Sequence, residues 1–229
     1  MTEKLKYAII GAGCMGQEHI LNIEIIDDAE VIALCDTSEK SIKESLDLLN
    51  NDVAIFDNYI DLVEANIADA FIIATPNFTH IEVLKEVMKS EAHLLIEKPL
   101  CTTVKDCQEF EKLAVDYPGV IWTAMEYRYM PPVQRMIKEI HNKTIGDLKM
   151  LSIREHRFPF LHKVDDWNRF AIKTGGTLVE KCCHFFDLMR LIAQSEPLKV
   201  YASGGQDVNH LEETYGGETP DILDNAFVI

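Results

Sequence analysis

The chain has 229 residues and a formal net charge of −16, from 22 Lys and Arg against 38 Asp and Glu. With 47 % hydrophobic residues it holds too much apolar material to stay unfolded, and its acidic balance repels phosphate backbones, which argues against a nucleic-acid partner. No apolar run approaches the roughly 20 residues that span a bilayer, and the charged start lacks the apolar stretch of a secretory signal, so the sequence reads as a cytoplasmic globular protein of one large or two modest domains, with no membrane partner.

Strand-like apolar runs occur at 7–10, 31–35, 70–74, 94–96 and 121–123, and 53–56 adds a further short strand. They are continuous rather than alternating, as a parallel sheet covered on both faces requires. Helix-length amphipathic stretches at 15–26, 38–49, 79–90 and 104–115 lie between them. This rhythm predicts an α/β Rossmann domain with a doubly wound parallel sheet over residues 1–124. From about residue 124 the pattern changes. A helix after Pro131-Pro132 leads to an alternating strand near 149–158, then to one long helix over 177–193. Strand-like stretches follow at 199–203 and 225–229, so residues 125–229 read as a second, α+β domain with an open sheet.

Gly11-Ala12-Gly13-Cys14-Met15-Gly16 follows the first strand and opens the first helix. Gly11 permits the tight turn, Gly13 lets the backbone approach a pyrophosphate, and Gly16 lets helix and strand pack closely. Cys14 and Met15 begin the helix whose N-terminus attracts the anion. The second strand ends in Asp36, about 20 residues past Gly16, where a carboxylate can accept from ribose hydroxyls. Thr37, Ser38 and Glu39 follow without an Arg to receive a 2′-phosphate, so the expected cofactor is NAD, with NADP disfavoured. Thr75-Pro76-Asn77 and Glu97-Lys98-Pro99 sit where two further strands end, which directs both segments toward the nicotinamide half of the cofactor. Lys98 can stabilise negative charge on a substrate oxygen. The six cysteines form no C-x-x-C pair, so they read as small apolar fillers and no metal site is expected.

In the 177–193 segment apolar side chains cover most of the helix surface, which predicts burial nearly all round. Glu180, His184, Asp187 and Gln194 fall in a polar stripe roughly 80° wide. Such a stripe needs partners, and a cofactor–substrate crevice supplies them. His184 is then the candidate general base, with Glu180 orienting it or binding a substrate hydroxyl. Two plainer alternatives stand beside this. Thr177-Leu178-Val179-Glu180 fits a capping box, and Asp187 could pair with a neighbouring Arg.

With the glycine fingerprint, Asp36, Ala74-Thr75-Pro76-Asn77-Phe78-Thr79-His80, Glu97-Lys98-Pro99, Trp167, Gly175-Gly176 and Glu180…His184…Asp187, the chain resembles the glucose–fructose oxidoreductase / inositol dehydrogenase / MocA family. The resemblance implies NAD(P)-dependent oxidation or reduction at a secondary hydroxyl or ketone of a sugar, polyol or cyclitol. It also implies homo-oligomers of the full-length protein, a cofactor contact at His80, a substrate contact at Arg128 (with Arg157 a weaker candidate) and a cis Lys98–Pro99 peptide. The family more often has Asp where Glu180 stands, followed closely by Gly. Family members continue well past residue 229, so the second domain is expected to be a fragment. An NAD-dependent glycosidase of the same fold and a non-catalytic NAD-binding protein are the alternative functions.

Overall fold

The computed structural model describes residues 4–229, which divide into two compact units, one ending at Ala124 and the other running from Met125 to Ile229. In the first unit β1 (Leu5–Ile10), β2 (Ala29–Cys35), β3 (Ala54–Phe56), β4 (Ala70–Ile73), β5 (His93–Ile96) and β6 (Ile121–Thr123) form one parallel sheet in the order β3-β2-β1-β4-β5-β6. The chain winds one way from β1 to β3 and the other way from β4 to β6, so the sheet changes direction between β1 and β4. Ligands of open α/β sheets bind at that point, outside the carboxyl ends of the strands.

The strands read as continuous apolar runs because both faces are covered. Ala8, Ile10, Phe71, Ile73, Leu94 and Ile96 point into one buried cluster with Leu62, Leu84 and Phe110, from α3 (Tyr59–Glu64), α4 (His80–Val87) and α5 (Val104–Ala114). Ile9, Val31, Leu34 and Ile72 point the other way, onto Ile20 and Ile23 of α1 (Cys14–Glu24) and toward Ile42 of α2 (Glu39–Leu46). Each fully buried Ile or Phe contributes about 1.5–3 kcal/mol relative to exposure. Side-chain caps at Ser38, Asn58 and Thr103 begin α2, α3 and α5. Helix α3 has no counterpart in the sequence reading. Its six residues are too few to show a period, and the Asn58 cap is its only local mark.

The second unit departs further from expectation. It contains α6 (Pro131–His141), α7 (Ala171–Thr174), α8 (Thr177–Glu180), α9 (Cys183–Ala193) and an antiparallel pair, β7 (Ala202–Gly205) with β8 (Asn225–Val228). No strand forms over 149–158. Alternation marks which residues would share a face, but a strand also needs a ladder partner, and none is present there among the described residues. The expected helix over 177–193 is broken between α8 and α9, where the Cys183 thiol donates to the Glu180 carbonyl at 3.6 Å. It is also not buried all round. Glu180, His184, Leu188 and Ile192 form its buried row, while Phe185, Phe186, Met189 and Leu191 are half-buried. Among the described residues the buried apolar side chains of this unit are Leu188, Ile192, Pro220 and Ile222.

Candidate active site

Three loops meet at the carboxyl edge of the first unit's sheet. The loop after β1 holds the glycines. Gly11 has φ +98°, and a Cβ there would lie 2.5 Å from the Ala74 carbonyl carbon and 2.7 Å from Thr75 N. The glycine is therefore required both by its backbone conformation and by the passing loop after β4. A Cβ on Gly16 would land on the Gly11 carbonyl oxygen. Gly13 differs, because nothing lies within 4 Å of its Cβ position. That open volume stands over the first turn of α1, where Cys14 is exposed, Met15 is 38 % exposed and no acidic side chain intrudes. An open cradle beside the first turn of a helix with no side-chain cap fits a pyrophosphate.

Asp36, at the end of β2, closes the other side. Its Oδ2 accepts from Ala12 N–H and its Oδ1 from Ser38 N–H, each at 2.8 Å. The carboxylate is thus fixed against the glycine loop, with further lone pairs left for ribose hydroxyls. These features fit a dinucleotide with an unmodified adenosine ribose.

The loops after β4 and β5 carry the remaining candidates. Thr75 and Pro76 are half-buried and the Asn77 side chain is buried. The Thr79 hydroxyl lies 2.8 Å from the Thr75 hydroxyl and 2.7 Å from the Pro76 carbonyl. Lys98 is half-buried, and its peptide bond to Pro99 is cis. Glu97 turns inward and is 6 % exposed. Its Oε1 accepts from His19 Nε2 of α1 at 2.8 Å, and its Oε2 from Lys98 N–H at 3.2 Å. His80 is wholly buried, with both ring nitrogens against backbone carbonyls. Glu97 and His80 therefore support the loops from within rather than presenting side chains to a cofactor. His19 was missed by the sequence reading. Its signal is its place three residues after Gly16, on the helix that the fingerprint opens.

In the second unit His184 is buried and stacks on Tyr127, with ring centroids 4.2 Å apart and planes 9° apart. Its Nε2 lies 3.4 Å from Glu126 Oε1. Burial pushes the Tyr127 pKa up. Arg128 grips Asp187 with two bonds, Nε donating to Oδ2 at 2.5 Å and the second nitrogen to Oδ1. Asp187 thus takes the plainer of its two sequence roles, as an ion-pair partner, and it occupies two of the N–H donors of the guanidinium that the resemblance assigned to substrate. Glu180 is 4 % exposed and 3.1 Å from Lys181 Nζ, which also sits 4.9 Å over the Phe160 ring. Its capping-box role is not realised, since the cap residue is Gly176 and makes no side-chain bond. Gln194 leaves the stripe altogether, as the left-handed residue that ends α9. Arg157 lies 3.6 Å from Glu155 and over Phe158.

Among the described residues no helix is long and apolar enough to cross a membrane, and no cluster of His, Cys, Asp or Glu could hold a metal ion. Residues 5–125 match the model of an oxidoreductase family's NAD-binding Rossmann fold, and residues 137–229 match the C-terminal alpha/beta domain of the same family. The chain is 26 % identical over 200 residues to the myo-inositol 2-dehydrogenase of Thermotoga maritima, covering 87 % of this chain and 58 % of that protein. It is 22 % identical over 215 residues to the 2,7-anhydro-N-acetylneuraminate hydratase of Escherichia coli, covering 93 % and 56 %. The solved structure of GenD2 from gentamicin A biosynthesis, in complex with NAD, superposes with a TM-score of 0.79 at 18 % identity, over all of this chain and 62 % of that one. The chain spans about three-fifths of the length of the curated relatives it matches.

Proposed function

Because this chain belongs to the Gfo/Idh/MocA oxidoreductase family and carries its NAD-binding Rossmann domain, we propose that the protein transfers a hydride between NAD and a secondary hydroxyl or ketone of a sugar, polyol or cyclitol. The observation that carries this reading is that the open cradle at Gly13, the fixed carboxylate of Asp36 and the half-buried Lys98, which follow β1, β2 and β5, all lie at the carboxyl edge of one parallel sheet. Bound NAD would supply the hydride acceptor. Gly11, Gly13, Cys14, Met15, Gly16 and Asp36 hold its adenosine and pyrophosphate, and Thr75, Pro76 and Asn77 line its nicotinamide side. Lys98 donates a hydrogen bond to the reacting oxygen and stabilises charge that builds on it. His184 takes the hydroxyl proton, and its buried ring, stacked on Tyr127, is held in one orientation for that work. Glu180 and Arg128 bind substrate hydroxyls near it. The substrate is a small molecule, and the full-length protein is a cytoplasmic homo-oligomer.

A second reading is favoured by the similarity to a hydratase, whose named reaction has no net redox change. In that reading oxidation is transient and the NAD returns to its starting state. A panel of cyclitols, polyols, sugars and glycosides, scored for both NADH and product, separates the two. Hydride transfer to free NAD gives one NADH per product, whereas transient oxidation gives product without NADH.

A further inference from the structure

His80 is the first residue of α4 and is 0 % exposed, so no cofactor or substrate reaches its ring. Its two nitrogens face different loops. Nδ1 lies 2.9 Å from the Pro99 carbonyl and 3.2 Å from the Leu100 carbonyl, on the loop that carries Lys98. Nε2 lies 3.0 Å from the Thr75 carbonyl, on the loop assigned to the nicotinamide side. The ladder between β4 and β5 closes with Glu97 N–H donating to the Ile73 carbonyl at 2.8 Å. Beyond that bond the imidazole is a bridge from one loop to the other.

All three contacts are carbonyl oxygens, which only accept, so each nitrogen must donate to satisfy its side. Burial holds the His80 pKa below the ordinary imidazole value, against the opposing pull of the Thr75, Pro99 and Leu100 carbonyls and the Glu97 carboxylate. A neutral ring has one N–H. It donates to one loop at a time, and its tautomer decides which.

We propose that His80 is a positioning residue that couples the Lys98 loop to the Thr75–Asn77 loop by sharing one ring proton between them. The inference rests on the reading above for what the two loops do, but not for the coupling itself. The loop that receives the proton is held while the other carbonyl faces the bare nitrogen, so the tautomer sets the spacing between the hydride acceptor's side and the lysine without the ring touching either ligand. Positioning errors of this kind cost rate far more than affinity.

The test uses two variants that each keep one donor. In His80→Asn the amide nitrogen occupies the place of Nδ1, and in His80→Gln it reaches the place of Nε2. Hydrogen exchange followed by mass spectrometry, on the protein without cofactor, reads both loops at once. In His80→Asn the peptide covering 74–79 should exchange at least tenfold faster while that covering 97–101 stays protected, and in His80→Gln the pattern should reverse. Peptides from β1 and β2 should not change in either. Both variants loosening both loops alike, or neither loop responding, would overturn the coupling. In turnover, His80→Gln should lower kcat at least tenfold with the KM for NAD within threefold, whereas His80→Asn should raise that KM with a smaller loss of kcat. Absence of turnover in the unaltered protein on every alcohol would sink the proposed function while the exchange pattern still decided the role of His80.

Discussion

His19 Nε2 donates to Glu97 Oε1 at 2.8 Å, so the helix opened by the glycine fingerprint is bonded directly to the residue that precedes Lys98. Burial alone would raise the Glu97 pKa. The bond and charge of His19, with the Lys98 charge and amide, outweigh it and hold the carboxyl below its ordinary range. A depressed carboxylate contributes stability that is present above its unfolded value of about 4.3 and is lost as pH falls through its folded value.

Replacing His19 with Leu should leave a buried carboxylate one partner short. We expect the variant to be less stable than the original by about 1–3 kcal/mol at pH 7, with the gap closing in acid as Glu97 is protonated in both proteins. Urea midpoints followed from pH 7 downward, to the onset of acid unfolding, check this. A gap that ignores pH would show that the pair contributes through packing alone.

Gly13 and Gly16 belong to one motif but answer to different constraints. Gly13 has φ −76° and open space at its Cβ position, so Gly13→Ala should keep or slightly raise the melting temperature while weakening NAD binding at least tenfold. Gly16→Ala drives a methyl onto the Gly11 carbonyl oxygen and should cost about 1–3 kcal/mol of stability before any cofactor is added. Calorimetry of both variants, with and without NAD, separates the two effects. Equal stability losses would contradict the division.

Asp36 accepts from Ala12 N–H and Ser38 N–H, and in the proposed function its remaining lone pairs serve the ribose. Asp36→Ala should raise the Kd for NAD at least tenfold, about 1.4 kcal/mol, and narrow the preference over NADP, whose extra phosphate the carboxylate repels. Titration calorimetry with each dinucleotide measures both quantities, and an unchanged NAD affinity would count against the ribose contact.

Arg128 and Asp187 are joined by two bonds, with the guanidinium 39 % exposed and the carboxylate 11 % exposed. Solvent screening discounts the pair, so a double-mutant cycle with Arg128→Met and Asp187→Asn should give a coupling of about 1 kcal/mol in unfolding free energy. Zero coupling would mean that Arg128 is free to serve substrate alone.

The first unit was readable because its determinants are local or repeat along the chain. Ala33 and Leu34 of β2, like Ile73 and Ile72 of β4, are buried in clusters on opposite faces of the sheet, which a covered parallel sheet accommodates. Gly11 and Gly16 are demanded by close approaches that any chain with this turn must make. The groups that were misread or missed depend on distant partners. His80 looks like a polar residue beside a cofactor loop, but Thr75 and Pro99 carbonyls draw it inward. The place of His19 on the fingerprint helix does not reveal its bond to Glu97, a residue that follows β5 and lies 78 positions away. In the second unit the alternation over 149–158 was real as a pattern, yet it formed no strand without a neighbour to pair with. The break between Glu180 and Cys183 likewise escapes periodicity, because helix-forming residues continue straight through it.

The central claim is that a hydride passes from a carbinol carbon to NAD. The most direct measurement takes an alcohol that turns over, deuterates it at that carbon, and follows the label by NMR. Hydride transfer should place deuterium at C4 of the nicotinamide, with one labelled NADH for each ketone formed, and Lys98→Ala should lose both. Deuterium appearing in water, or product formed with no labelled NADH, would contradict it.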